Sequence, residues 1–148
     1  MANYGLIQQG IQYKEVYAKF TLSWDAIAFL LGATTSGNVT LFTLPQAGKV
    51  TGVTIKHSQQ FAGITGPLTV SLGIASNVVL FTTATIDLVA SAVADNTLLE
   101  SGGLFNSGQL SKVDVVAHFI SSSGAFTSLT AGSVDLYVKY LSVSTPNV

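Results

Sequence analysis

The feature that most constrains this chain is a long alternating segment near its C-terminus, residues 133–143. Its even-numbered positions carry the apolar residues Val134, Leu136, Val138 and Tyr140. Its odd-numbered positions are mainly polar, beginning with Ser133, Asp135, Tyr137 and Lys139. Because successive side chains of a strand point to opposite faces, this pattern predicts a strand with one buried and one wetter face. Such a strand must pair with segments that come earlier in the chain.

Similar patterns predict the pairing partners. Further strands are expected over residues 13–24, 39–44, 49–57, 68–74, 85–90 and 113–120. The segment 113–120 is apolar on both sides, which is typical of a central strand. Asp25 can open a short helix or a turn, and residues 26–31 fit either a buried strand or a helical turn. Residues 91–100 have no clear period and are consistent with a short helical turn, whereas glycine, serine and proline predict loops at 32–38 and 58–67.

The number and spacing of these segments predict an all-β fold. Seven to nine short strands separated by turn signals are typical of an antiparallel β-sandwich. Long connections at 58–67 and 91–111 favour a Greek-key or jelly-roll topology over simple hairpins. We therefore predict one β-sandwich domain over residues 13–148, preceded by an extended N-terminal arm at residues 1–12.

The composition indicates a protein that associates. Only 9% of the residues are charged, and they comprise six lysines, no arginine and seven carboxylates. In ordinary globular proteins about 25% of the residues are charged. A compact monomer of this mass would expose on the order of 7,000 Å², so its surface carries few charges and favours association. We expect a homo-oligomer, with a trimer as the expected state.

The absence of a basic stripe argues against nucleic acid as a partner, and the longest apolar run, residues 26–31, is too short to cross a membrane. The N-terminal residues also lack the pattern of a signal peptide.

No candidate for catalysis or metal binding emerges. His57 and His118 have no histidine or carboxylate at ligand spacing, and the chain has no cysteine. A Ser-His-Asp triad lacks the Gly-Xaa-Ser-Xaa-Gly motif that would support it, and the carboxylates are scattered singly. We therefore expect a non-enzymatic protein without a cofactor.

Two surfaces are candidates for binding. The N-terminal arm carries Tyr4, Leu6, Ile7 and Ile11 without any charge, which suits an extended segment that lies against a partner; a frayed terminus is the alternative. Aromatic residues are concentrated near the N-terminus, and such side chains either pack in cores and interfaces or stack on sugar rings. They are Tyr4, Tyr13, Tyr17, Phe20, Trp24 and Phe29.

Several stretches resemble a known class of proteins. The segments Val39–Pro45, Gly48–Lys56, Leu68–Gly73 and Leu129–Tyr140 are similar to small β-sandwich virion proteins of tailed bacteriophages, of the capsid cement (decoration) or minor head type. The resemblance extends over residues 39–140. It implies a trimer on the outer surface of the capsid, made in the host cytoplasm, that binds the major capsid protein and sister subunits and has no catalytic residues. The alternative is a carbohydrate- or receptor-binding module of a phage tail or spike.

Overall fold

The computed structural model describes residues 12–45, 48–82, 86–90, 96–99 and 112–144. Eight strands lie within these ranges: β1 (Gln12–Ser23), β2 (Ser36–Leu44), β3 (Lys49–Ala62), β4 (Leu68–Gly73), β5 (Ile86–Asp87), β6 (Asn96–Leu99), β7 (Val113–Ser121) and β8 (Ala131–Ser144). One helix, α1 (Trp24–Leu31), connects β1 to β2, and a 3₁₀ turn (Phe126–Ser128) precedes β8. None of the described helices is long and apolar enough to span a membrane.

The described strands form two four-stranded antiparallel sheets. Sheet A has the order β1-β8-β3-β6, and sheet B has the order β2-β7-β4-β5. Only β4 and β5 are consecutive strands that pair within one sheet; every other step along the chain changes sheets. This strand order is that of a jelly roll. The predicted all-β, jelly-roll-like antiparallel sandwich is confirmed.

The strand β8 pairs with earlier segments, as its alternation predicted, and it is an interior strand of sheet A. On one side it pairs along its length with β1, so that Gln12 is opposite Ser144 and Ser23 is opposite Ser133. On its other side it pairs with β3. Val134, Leu136 and Val138 point into the sandwich and are almost fully buried. Strand β7 is central in sheet B, between β2 and β4, which confirms the prediction for residues 113–120.

A stack of three aromatic rings joins the two sheets. Phe42 of sheet B lies between Phe20 and Tyr140 of sheet A, with ring-centroid distances of 5.7 Å and 4.8 Å. Offset or stacked aromatic pairs contribute about 0.5–1.5 kcal/mol beyond their buried area. The contact therefore stabilises the packing of β1 and β8 on β2.

A glycine allows β8 to approach the core closely where it begins. Gly132 has φ of 128°, in the region that favours glycine, and a Cβ at this position would collide with the ring and backbone of Phe61. Phe61 is 1% exposed, so its ring has no free space to move into. A side chain at position 132 would displace either the strand or this ring.

Several segments differ from the sequence predictions. Strand β2 begins at Ser36, inside the predicted loop 32–38, and of the described residues in the predicted strand 85–90 only Ile86–Asp87 pair as β5. The first strand ends at Ser23, and Trp24 begins a helix because a helical turn there buries Ile27 completely. Strand β3 continues to Ala62, through residues predicted as a loop, because pairing with β8 persists across two register irregularities that hide the alternation. Residues 96–99 form strand β6 on β3 rather than a helical turn, since an edge strand needs only backbone pairing.

Candidate assembly surfaces

Among the residues that the structure describes, neither histidine belongs to a group of ligands that could hold a metal ion. His118 lies on the outer face of sheet B, where its Nδ1 is 2.6 Å from Oδ1 of Asn38 on the neighbouring strand. His57 lies on the inner face of β3 and is 3% exposed. Across the described ranges, no three His, Cys, Asp or Glu side chains come together to form a metal site.

The buried His57 has an unusual environment. Neither ring nitrogen makes a hydrogen bond of ordinary geometry, and the ring centroid lies 6.3 Å from that of Phe61. Burial lowers the pKa of His57 from its usual 6.5, against the smaller opposing influence of backbone groups of Gln59 and Leu88 and of the Asp87 carboxylate. His57 is therefore a neutral, structural side chain.

The described carboxylates serve local structure. Asp87 accepts hydrogen bonds from the backbone N–H groups of Leu68 and Val89, at 3.2 and 3.0 Å. The others accept from neighbouring side chains: Glu15 from Tyr17, Asp25 from Ser23, Asp114 from Thr43 and Asp135 from Thr21. Each carboxylate thus has a hydrogen-bonding role within its own surroundings.

The short helix α1 presents large apolar side chains to solvent. Ile27 is buried in the core, and Leu31 packs against the core, four residues further along the same face. Outside this buried stripe the helix carries Phe29, which is 87% exposed, and Leu30, which is 56% exposed, and Trp24 at the start of the helix is also exposed. Asp25 is the single charged residue of the helix. We call Trp24, Phe29 and Leu30 the α1 apolar surface and treat it as a candidate contact with other molecules, since large exposed apolar patches often serve this role.

Sequence reasoning did not identify this surface. Residues 26–31 fit either a buried strand or a helical turn, and only the helical arrangement separates Ile27 from Phe29 and Leu30. The signal that could have indicated it is the composition of residues 26–31, which hold four large apolar side chains and follow a single charged residue, Asp25. A helix with one narrow buried stripe leaves the remaining apolar residues outside.

The outer face of sheet A combines tyrosines with lysines. Tyr17 and Lys139 are opposite each other on β1 and β8, as are Lys19 and Tyr137. Each lysine reaches toward a ring: Lys19 Nζ is 5.7 Å from the ring centroid of Tyr137, and Lys139 Nζ is 6.0 Å from that of Tyr17. Lys139 also forms an ion pair of 3.7 Å with Glu15. This arrangement is a mainly polar surface on the neighbouring strands β1 and β8.

The structure distributes the N-terminal aromatic residues over several places. Phe20 is in the interior stack, Tyr17 is on the outer face of sheet A, and Trp24 and Phe29 are on α1. These four described side chains therefore do not line one continuous sugar-stacking strip along a strand. The predicted partner-binding residues Tyr4, Leu6, Ile7 and Ile11 lie outside the described residues, as do Tyr4 and the side chain of Tyr13 from the aromatic set.

Comparison with known structures finds the same fold in bacteriophage capsids. A chain in the cyanophage Pam1 capsid asymmetric unit superposes with a TM-score of 0.55 at 20% identity, over 90% of this chain and 86% of that chain. A chain in the acidic stable capsid structure of Helicobacter pylori bacteriophage KHP30 gives a TM-score of 0.56 at 19% identity, over 93% of this chain and 99% of that chain. No protein-family model matches the sequence, and curated proteins give no match either. At the level of fold, the chain is similar to proteins found in phage capsids, in agreement with the resemblance noted in its sequence.

Proposed function

We propose that this chain is a non-enzymatic structural protein of a bacteriophage virion. The observation that carries the proposal is the agreement in fold and extent with chains from two phage capsids, one of which is matched over 99% of its length. A single jelly roll of this size accounts for nearly the whole of that neighbour. The proposal is also consistent with the described histidines and carboxylates, which serve structure and form no metal cluster.

The finer assignment is a capsid cement, or decoration, protein. In this role the chain is made in the host cytoplasm and binds the outer surface of the head, where it contacts the major capsid protein and sister subunits. The sparse charge of the sequence and the exposed Phe29 and Leu30 support a surface that becomes covered in an assembly. The N-terminal arm, through Tyr4, Leu6, Ile7 and Ile11, is proposed as a second contact with the shell.

The test of the structural role is the protein content of purified particles. Virions banded on a density gradient should contain the chain in a fixed copy number relative to the major capsid protein, measured by quantitative mass spectrometry. Antibodies against the chain should label intact particles if it lies on the outer surface. Absence of the chain from particles would contradict the proposal, and labelling only after disruption would contradict the outer location.

The proposed trimer has its own measurement. Light scattering of the purified chain should give about three times the 15.4 kDa of one subunit, because burial of apolar surface favours association. A mass of one subunit in solution, together with isolated single copies on particles, would contradict the trimer.

A second candidate is a carbohydrate- or receptor-binding module. The observation in its favour is Tyr17, a residue that is 73% exposed on the outer face of sheet A, since exposed aromatic rings stack on sugars. A glycan array tests it directly. Specific binding that is lost in Tyr17→Ala would favour this candidate over the cement protein, whereas no binding would leave the structural role as the better account.

A further inference from the structure

The lysines of this chain are concentrated on one face. Five of the six lie on β1, β3 and β8, and the strand registers place four of them on the outer face of sheet A. These four are Lys19, Lys49, Lys56 and Lys139. The other two lysines lie elsewhere. Lys14 is on β1, at a position that alternates to the opposite face, and Lys112 directly precedes β7. The outer face of sheet A is thus the most cationic part of the described surface.

The carboxylates neutralise this face only in part, since Glu15 and Asp135 stand against four lysines and Asp135 is the cross-strand neighbour of Lys56. Glu15 is shared between the Lys139 ammonium, at 3.7 Å, and the Tyr17 hydroxyl, at 3.1 Å. Asp135 is 9% exposed and accepts a hydrogen bond of 2.7 Å from Thr21. Within the described part of the chain, Lys19, Lys49 and Lys56 have no ion-pair partner.

The ammonium groups are also held in place. Lys19 and Lys139 lie over the rings of Tyr137 and Tyr17, and such cation–π contacts contribute about 0.5–1 kcal/mol at exposed sites. Ordering the long lysine side chain in advance lowers the entropy cost of binding. Tyr17 lies between these charges with 73% of its surface exposed, and tyrosine is a frequent anchor of protein interfaces.

We propose that the outer face of sheet A, through Lys19, Lys49, Lys56 and Tyr17, docks on a carboxylate-rich surface of another protein. The inference rests on the proposed function, since that protein is a neighbour in the particle. The chain has only seven carboxylates, scattered singly along its sequence, and the five that the structure describes accept hydrogen bonds within their own subunit. We therefore assign the complementary charge to a different protein rather than to a second copy. Nucleic acid fits less well, because Glu15 and Asp135 lie within the face, arginine is absent and the sequence pI is about 6.0.

The test reverses charges on and off this face. Lys19→Glu with Lys56→Glu changes the face, and Lys14→Glu with Lys112→Glu produces the same change in net charge elsewhere. Lys19→Gln with Lys56→Gln serves as a milder variant, and melting curves establish that each protein is folded. Binding is measured to particles assembled without the chain and, separately, to a poly-L-glutamate surface at increasing salt.

We expect the Lys19/Lys56 reversal to weaken binding to both probes roughly tenfold or more, with a smaller loss for the glutamine variant and little change for the Lys14/Lys112 control. Added salt should weaken the wild type more than the Lys19/Lys56 variant. If the wild type and the Lys19/Lys56 variant bind particles equally, the docking face is wrong while the structural role stands. If the wild type ignores particles but binds poly-L-glutamate through Lys19 and Lys56, the structural role is wrong and the acidic specificity of the face stands. Displacement by nucleic acid or a neutral glycan, but not by poly-L-glutamate, would overturn the partner class.

Discussion

At the scale of single residues, His57 is the side chain with the clearest consequence for stability. Its imidazole is buried in the sandwich without an ordinary hydrogen bond, beside Phe61. An uncompensated polar group in such a place costs free energy, and the charged form costs more. The folded chain therefore holds His57 neutral at a pH where the unfolded chain begins to protonate it.

Stability should fall on mild acidification because of this residue. The pKa of His57 is lowered in the folded chain from 6.5, so the unfolded chain takes up a proton that the folded chain refuses. The loss of unfolding free energy begins as the pH falls through 6.5 and continues until the lower, folded pKa is reached. Melting temperatures measured from pH 8 to pH 5 should decrease over this window.

The matched variants are His57→Leu and His118→Gln. Leucine cannot titrate and leaves no ring nitrogen unsatisfied, so His57→Leu should flatten much of the pH dependence without lowering stability at pH 8. His118→Gln should retain most of the dependence. Burial lowers the pKa of His118 as well, but this side chain is only half-buried on the outer face of sheet B, whereas His57 is 3% exposed. An unchanged pH profile in His57→Leu would show that another group controls the acid response.

At the scale of secondary-structure elements, α1 divides its apolar residues between two roles. Ile27 is fully buried, whereas Phe29 is 87% exposed two positions later. The first residue stabilises the fold of one subunit, and the second is available to a neighbour. Substitutions at these two positions should therefore separate stability from association.

Ile27→Ala should lower the free energy of unfolding by about 2–5 kcal/mol, since it leaves a cavity in the core. Phe29→Ser should change the free energy of unfolding by only about 0.5 kcal/mol, because the Phe29 side chain is mostly exposed and does not pack in the core. In association the order is reversed: Phe29→Ser should lower the mass observed by light scattering or the occupancy of particles. Chemical denaturation measures the first effect. Equal destabilisation by both substitutions would contradict the division.

The N-terminal arm remains a prediction from the sequence. Ordering a backbone costs roughly 1–2 kcal/mol per residue, whereas burial of Tyr4, Leu6, Ile7 and Ile11 returns about 1.5–3 kcal/mol each. The arm therefore needs hydrogen bonds to a partner, as in strand addition.

Deletion of residues 2–11, which stops before β1, should leave the melting temperature nearly unchanged while weakening attachment to particles or sister subunits. A control that replaces the four apolar side chains by serine keeps the chain length. Equal occupancy of truncated and full-length protein would identify the arm as a dispensable end, and loss of the fold would identify it as a core strand.

The limits of sequence reasoning also appear at this scale. The alternation of β8 correctly predicted its inner residues Val134, Leu136 and Val138, because each points into one uninterrupted core. Alternation failed for residues 59–62, where register irregularities in β3 shift the pattern although pairing with β8 continues. It also failed for Asp135, whose position on the polar face predicted exposure but whose hydrogen bond with Thr21 allows it to be 9% exposed.

The candidate surfaces were less predictable than the fold. Alternation assigned Tyr17, Lys19, Tyr137 and Lys139 to wetter faces, yet only the pairing register between β1 and β8 brings each lysine to a tyrosine of the other strand. Such pairs join residues far apart in sequence. A single sequence specifies which face a side chain occupies but contains no direct signal for its neighbour across the sheet.

At the scale of the whole molecule, the chain divides its surface by chemistry. The outer face of sheet A carries most of the lysines, and α1 carries exposed apolar side chains. Both surfaces belong to a jelly roll of the kind found in phage capsids. We therefore expect a neighbouring protein to cover both of them.

A cryo-electron microscopy map of the purified particle tests this requirement most directly. We expect density for the jelly roll on the outer surface of the head, with Phe29 and Leu30 buried against a neighbouring subunit and Lys19 and Lys56 facing carboxylates of the shell. A map in which the chain is absent, or in which α1 and the outer face of sheet A both face solvent, would contradict it.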